Sequence, residues 1–222
     1  MSPDHEWSRW EALFEQFLRR RDAAFDAAHD LAHVQRVVAS ARALARAEQA
    51  DLAVVVPAAW LHDCVSVPKD SPQRAAASRL AGEVAVEYLQ AVDYPAHYLP
   101  AIRHAIEAHS FSANIEPRTR EARVLQDADR LDALGAIGIA RCLMLSAELG
   151  RRLYDPQEPF PQWRTPDDAM NAIDHFYLKL FRIADHMTTQ ARRYEARRRT
   201  AFMRAFLDQL SHELPPAPED AP

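Results

Sequence analysis

Four glycines in 222 residues leave this chain few places for the tight turns on which an antiparallel sheet depends. Its fifteen prolines fall mostly between segments of helical periodicity rather than inside them. This pattern predicts an all-α fold: a single-domain helical bundle over residues 1–214, followed by a disordered tail at 215–222. With 48% hydrophobic residues the chain can build an ordinary globular core.

Apolar residues at steps of three and four mark the helices. Trp7, Trp10, Leu13, Phe14, Phe17 and Leu18 give a first one that ends in the basic run 19–21. Leu31, Val34, Val37, Val38, Ala41, Leu44 and Ala45 form the stripe of a second, with His33 beside it. Asp51 is placed to cap a third, although the run 54–56 also reads as a strand and Pro57 should kink a helix. Helix is preferred because no partner strand with period-two alternation occurs elsewhere. Ser71-Pro72 and Tyr94-Pro95 open helices at about 72–92 and 95–109, and Thr119 caps a segment carrying Asp129. A further apolar helix covers 135–150. The proline-rich stretch 154–166 is an extended loop that could cover a site, and Thr165-Pro166 restarts two long helices reaching about 214. The basic cluster 192–199 reads as one face of the last of these.

Several function classes lose support from the totals. A formal net charge of −5 offers no broad attraction to nucleic acid or anionic lipid, so any phosphate affinity has to be local. Cys64 and Cys142 sit in apolar helical patterns without ligand spacing, which suits buried thiols in a reducing compartment. The start, MSPDHEWSRWEALFEQF, lacks the apolar core of a secretory signal, and the longest charge-free apolar stretches are shorter than the ~20 residues that span a bilayer. A cytoplasmic protein without membrane contact is expected.

Within AAWLHDCV, an apolar run with no charge after Asp51 ends in His62 and Asp63. Ionised carboxylates almost never stay fully buried without a partner. Singly, a histidine beside an apolar stripe is more often a hydrogen-bonded core residue, and a His-Asp pair can be a local salt bridge. Together, His33, His62, Asp63 and Asp129 sit at or near the buried edges of three helices. Two imidazoles and two carboxylates suit an octahedral Mn²⁺, Fe²⁺, Co²⁺, Ni²⁺ or Mg²⁺ with positions left open for water. In QDADRLDAL, Asp129 lies beside Leu125 and Ala128, whereas Asp127 and Asp132 are better placed to be solvated, to cap, or to pair with Arg130.

The order H…HD…D, carried by HDLAHVQRVV, AAWLHDCV and LQDADRLDAL, resembles the HD-domain superfamily of metal-dependent phosphohydrolases. The resemblance covers about residues 25–145. HSFS at 109–112 and DADRLDALGAIGIAR at 127–141 look like a small single-domain bacterial subgroup that includes manganese-dependent deoxynucleoside triphosphate pyrophosphohydrolases. It implies that His33, His62, Asp63 and Asp129 hold one divalent metal, with Mn²⁺ favoured, between core helices. It also implies a nucleotide substrate, cleaved to monophosphate and pyrophosphate with metal-held water as nucleophile. A phosphomonoesterase or cyclic-nucleotide phosphodiesterase, a di-iron oxygenase and a non-catalytic nucleotide-binding regulator are the alternatives.

Some branches of that superfamily place acidic residues just after the HD pair; here Cys64, Val65, Ser66 and Val67 follow, and Asp70 is the next carboxylate. The general acid or base is therefore open, with Asp63, His104 and His109 as the catalytic candidates. His104 and His109 are five apart on one helix and so about 140° apart around it. They can bind a second metal, meet a phosphate, or orient other ligands. Arg36, Lys69 and Arg74 are the cations placed to meet a polyphosphate. Base, sugar, phosphate number and oligomeric state are not encoded in any of these motifs.

Overall fold

A computed structural model of the chain describes residues 3–21, 30–65, 67, 76–110, 113–187 and 190–215. Helices α1 (Pro3–Arg19), α2 (Leu31–Glu48), α3 (Leu52–Leu61), α4 (Ala77–Ala91), α5 (Leu99–His109) and α6 (Arg120–Asp132) come first. Then follow α7 (Gly135–Glu148), the short α8 (Ala172–His175), α9 (Phe181–Asp185) and the long α10 (Gln190–Glu213). Among the described residues there is no strand, only an isolated bridge between Arg152 and Asn171. The all-α expectation holds, and residues 54–56 are helical. Two compact units divide the chain, Met1–Asp129 and Arg130–Pro222.

In the first unit, α3 is central and packs against α1, α2, α4 and α5. A helix surrounded on all sides must be apolar all round, and Val54, Val55, Val56, Pro57, Ala58, Ala59, Trp60 and Leu61 are all buried. Asp51 caps it, its carboxylate accepting the Ala53 N–H at 2.8 Å. Pro57 does not end the helix. It leaves the carbonyl of Ala53 without its helical donor, and the Tyr94 hydroxyl donates to that oxygen at 2.7 Å. The core continues through Phe14 and Leu18 of α1, the α2 stripe, Leu89 of α4, Ile102 and Ile106 of α5, and Leu125 of α6.

The second unit has its own core, built from Leu131, Leu134, Ile139, Phe176, Leu180, Met203 and Leu207 among others. Gly135 opens α7 at φ +75°, and a Cβ on Gly138 would run into the backbone carbonyl of Ala133, so the turn into α7 requires both glycines. The C-terminal helices begin at Ala172 rather than at 166. The reason is the Asp174 carboxylate, which accepts the Asp167 N–H at 2.8 Å ahead of a turn at residues 168–170. The loop 153–170 is ordered by its polar groups: Glu158 accepts the N–H groups of Gln162 and Trp163, and Arg164 grips Asp174. Residues 216–222, expected as a tail, and Ser71-Pro72, expected as a helix start, lie outside the described residues.

Candidate metal centre

The cap of α2 places its first site residue. Asp30 accepts the N–H of His33 at 2.8 Å, so His33 is the third residue of a helix whose start is fixed. His62 follows the last residue of α3, where the final carbonyls lack helical donors. Its Nδ1–H donates to the Ala59 carbonyl at 2.8 Å, which leaves Nε2 to face inward. His109, the last residue of α5, does the same with the Ile106 carbonyl at 2.6 Å. The fourth segment is α6, which carries Asp129 and is tied to the end of α5 by the buried Gln126, whose Nε2 donates to the Ala108 carbonyl at 2.8 Å.

These elements bring four sequence-predicted residues to one place. His33 Nε2 and His62 Nε2 are 3.3 Å apart. Asp63 Oδ2 lies 3.8 Å from the first and 3.5 Å from the second, and Asp129 Oδ1 lies 3.6 and 3.9 Å from them. An octahedral ion with bonds of about 2.1 Å sets neighbouring donors about 3.0 Å and opposite donors about 4.2 Å apart. The observed spacings fall between these values, and His33, His62 and Asp129 form a grouping, all donor atoms within 4.8 Å of one another, that could hold a divalent cation. Both rings are fully buried, whereas each carboxylate side chain keeps 26% of its surface exposed. The imidazoles close the inner side and the acids border the opening.

Burial pushes the His62 imidazole down to about 4, against the neighbouring carboxylates, so the ring is neutral at physiological pH. For Asp129, burial acts upward and is outweighed by His62, His109 and His33, which hold the carboxyl below its usual range. His109 is the fifth member. Its Nε2 is 3.4 Å from Asp63 Oδ1, and His62, Asp63 and His109 form a second grouping with donor atoms within 4.8 Å of one another. Burial lowers its pKa, but Asp63, Asp129 and the Ile106 carbonyl outweigh burial and raise it, favouring a ring that keeps its proton.

His104 joins neither grouping. Its Nε2 accepts the backbone N–H of Arg118 at 3.1 Å. Arg36 is half-buried on α2, one turn beyond His33. Lys69 and Arg74 lie outside the described residues. Asp127 and Asp132, expected to be solvated, to cap or to pair with Arg130, are buried, with 0% and 5% exposure. Residues 124–128 of α6 are buried without a break, so a single apolar face was the wrong guide there; Asp132 accepts from Arg141 at 2.8 Å, and Arg130 donates to the His186 carbonyl at 3.0 Å. Cys64 and Cys142 are buried free thiols, and burial raises Cys64 to about 12. Sequence reasoning missed Gln126 and the Asp30 cap. A polar residue inside an unbroken apolar turn, and an Asp three residues before a candidate ligand, were the available signals.

A bundle that converges His, His-Asp and Asp from three separated helical segments defines the HD-domain class. The family model for the HD domain matches residues 30–134, a span holding all four converging residues, and the chain belongs to the HD superfamily of metal-dependent phosphohydrolases. Its sequence is 35% identical over 193 residues to the uncharacterized protein YpgQ of Bacillus subtilis, covering 84% of this chain and 85% of that one. A crystal structure of YpgQ in complex with ADP superposes with a TM-score of 0.69 at 30% identity, covering 92% of this chain and 100% of that one. A Lactobacillus plantarum protein gives a TM-score of 0.72 at 35% identity, covering 91% and 95%. An HD-superfamily hydrolase from Bacillus thuringiensis gives 0.69 at 29%, covering 92% and 97%.

Proposed function

We propose that this phosphohydrolase acts on nucleotides, hydrolysing (deoxy)nucleoside triphosphates to the monophosphate and pyrophosphate, with Mn²⁺ as its ion. The observation that carries the reading is the approach of His33 Nε2, His62 Nε2, Asp63 Oδ2 and Asp129 Oδ1 to within 3.3–3.9 Å across the pairs that involve a ring. These four are the proposed ligands. A divalent ion bound there supplies Lewis-acid charge to a phosphoryl oxygen and lowers the pKa of a coordinated water. That YpgQ was crystallised with ADP supports a nucleotide ligand.

The chain's own groups divide the remaining work. The Ala59 carbonyl fixes the His62 ring so that its Nε2 points at the ligand position. His109, held by the Ile106 carbonyl and facing Asp63, carries a proton beside the reacting phosphate and donates it towards the oxygen that leaves phosphorus. Water adds to the α-phosphorus, the bond to the bridging oxygen breaks, and pyrophosphate departs. His104, with Nε2 engaged by the Arg118 N–H, is assigned to positioning that segment. Arg36, Lys69 and Arg74 are assigned to the charge of the phosphate chain.

The test is a panel of ribo- and deoxynucleotides with Mn²⁺, Mg²⁺, Co²⁺ and Ni²⁺, read by product. Pyrophosphate release is expected from the wild type, and no release from Asp63→Ala at unchanged helicity. Turnover retained in Asp63→Ala would refute the metal-centred reading. Orthophosphate alone would reassign the enzyme as a phosphomonoesterase.

A further inference from the structure

In the second unit, α9 and α10 flank a cavity of about 340 Å³, at the small end of the range for ligand sites. Arg193, Arg197, Thr200 and Arg204 line it from α10, at spacings that keep them on one face of that helix. Phe181 and Asp185 line it from α9. Elsewhere on α10 the arginines are committed: Arg198 and Arg199 both pair with Glu195 at 2.8 and 2.9 Å. Arg193 and Arg197 make no ion pair among the described residues, and Asp185 is the single acid among the lining residues against three guanidinium groups. The cavity therefore carries a surplus of positive charge in a chain whose net charge is −5.

Two details suit a built site better than a solvated helix face. The Arg204 guanidinium stacks on the Phe181 ring, 4.3 Å from its centroid, which restrains a long side chain before any ligand arrives. Thr200 Oγ1 is shielded from solvent and has no hydrogen-bond partner among the described residues, although buried polar groups almost always find one. A planar fork of donors pairs bidentately with phosphate or carboxylate oxygens, and three such forks on one face favour the more highly charged of the two, a phosphate. An acidic chain gives nucleic acid no extended attraction. We infer that this cavity binds a small phosphorylated anion through Arg193, Arg197 and Arg204. No residue of the metal centre takes part, so the inference stands apart from the proposed reaction.

The experiment titrates full-length protein carrying Asp63→Ala, in chelator and low salt, with pyrophosphate and with ATP by calorimetry. Binding of at least one ligand is expected, weakened at least tenfold by Arg193→Ala combined with Arg197→Ala and by added salt. Both arginines are exposed, so the variants should keep wild-type helicity, and Arg197→Gln provides a gentler second variant. Equal affinity for the two ligands assigns the site to the phosphate group alone, and tighter ATP binding assigns it to a nucleotide. Absence of binding by both ligands, or affinity unchanged in both arginine variants, overturns the inference. So does capture of a single-stranded RNA where neither small ligand binds.

Discussion

At the C-terminal ends of α3 and α5 the last carbonyls have no helical donor, and in each case a histidine ring turns back to supply one. Nδ1 of His62 meets the Ala59 carbonyl and Nδ1 of His109 meets the Ile106 carbonyl, both three residues earlier. One bond satisfies the helix end and fixes the tautomer, so Nε2 of each ring is directed at the acids. With two carboxylates beside two buried rings, the proposed centre makes folding and ion binding one equilibrium. At an ion concentration about a hundredfold above Kd, binding stabilises the native state by about 2.7 kcal/mol. Thermal unfolding of the wild type should therefore shift upward with added Mn²⁺. In Asp129→Ala the same titration should leave the midpoint unmoved, and a full shift there would remove Asp129 from the ligand set.

Helix α3 shows how an element tolerates a residue that ought to break it. Pro57 deprives the Ala53 carbonyl of its donor, and Tyr94, forty-one residues further along, replaces that donor with its hydroxyl. An unmet buried carbonyl costs about 1–3 kcal/mol. Tyr94→Phe keeps the ring packing and removes only the donor, so it should lower stability by about that amount in chemical denaturation with an unchanged m value. A loss below about 0.5 kcal/mol would mean that the carbonyl has another partner. The caps at Asp30, Asp51 and Thr119 were visible in the sequence or could have been, since each is a short polar side chain just ahead of an apolar period. Tyr94 was not visible in this role, because a tyrosine beside a proline is also an ordinary helix start.

For the whole molecule, stability against acid depends on carboxylates whose native surroundings favour the charged form. Asp174 is the clearest: its side chain is fully buried, Arg164 donates to both oxygens at 2.6 Å, and Asp167 and Asn171 add further bonds. Burial pushes its pKa up, but Arg164, the Asp167 N–H and Asn171 outweigh burial and hold it below the ordinary value. A carboxyl depressed in the folded state contributes stability that is complete above its unfolded pKa of about 3.9 and vanishes as pH falls through the folded value. Stability should therefore decline below about pH 4. Asp174→Asn should unfold more easily at neutral pH, by about 3 kcal/mol for a broken buried pair, and should show a shallower acid limb. Equal acid limbs in the two proteins would count against Asp174 as a source of the decline.

The sequence by itself determined the helical class and the four residues that converge, because both follow from local chemistry. Scarce glycine, three-four periodicity and polar residues intruding on apolar faces are readable one segment at a time. It did not determine which acids of QDADRLDAL are buried. Asp127 is enclosed because α6 is covered around residues 124–128, and Asp132 is buried where Arg141 of α7 meets it; how many neighbours cover a helix is a property of packing. Nor could it separate His109, which faces Asp63, from His104, which accepts the Arg118 N–H. The two histidines have the same chemistry and share one helix, and only the direction in which the tertiary structure turns each face tells them apart.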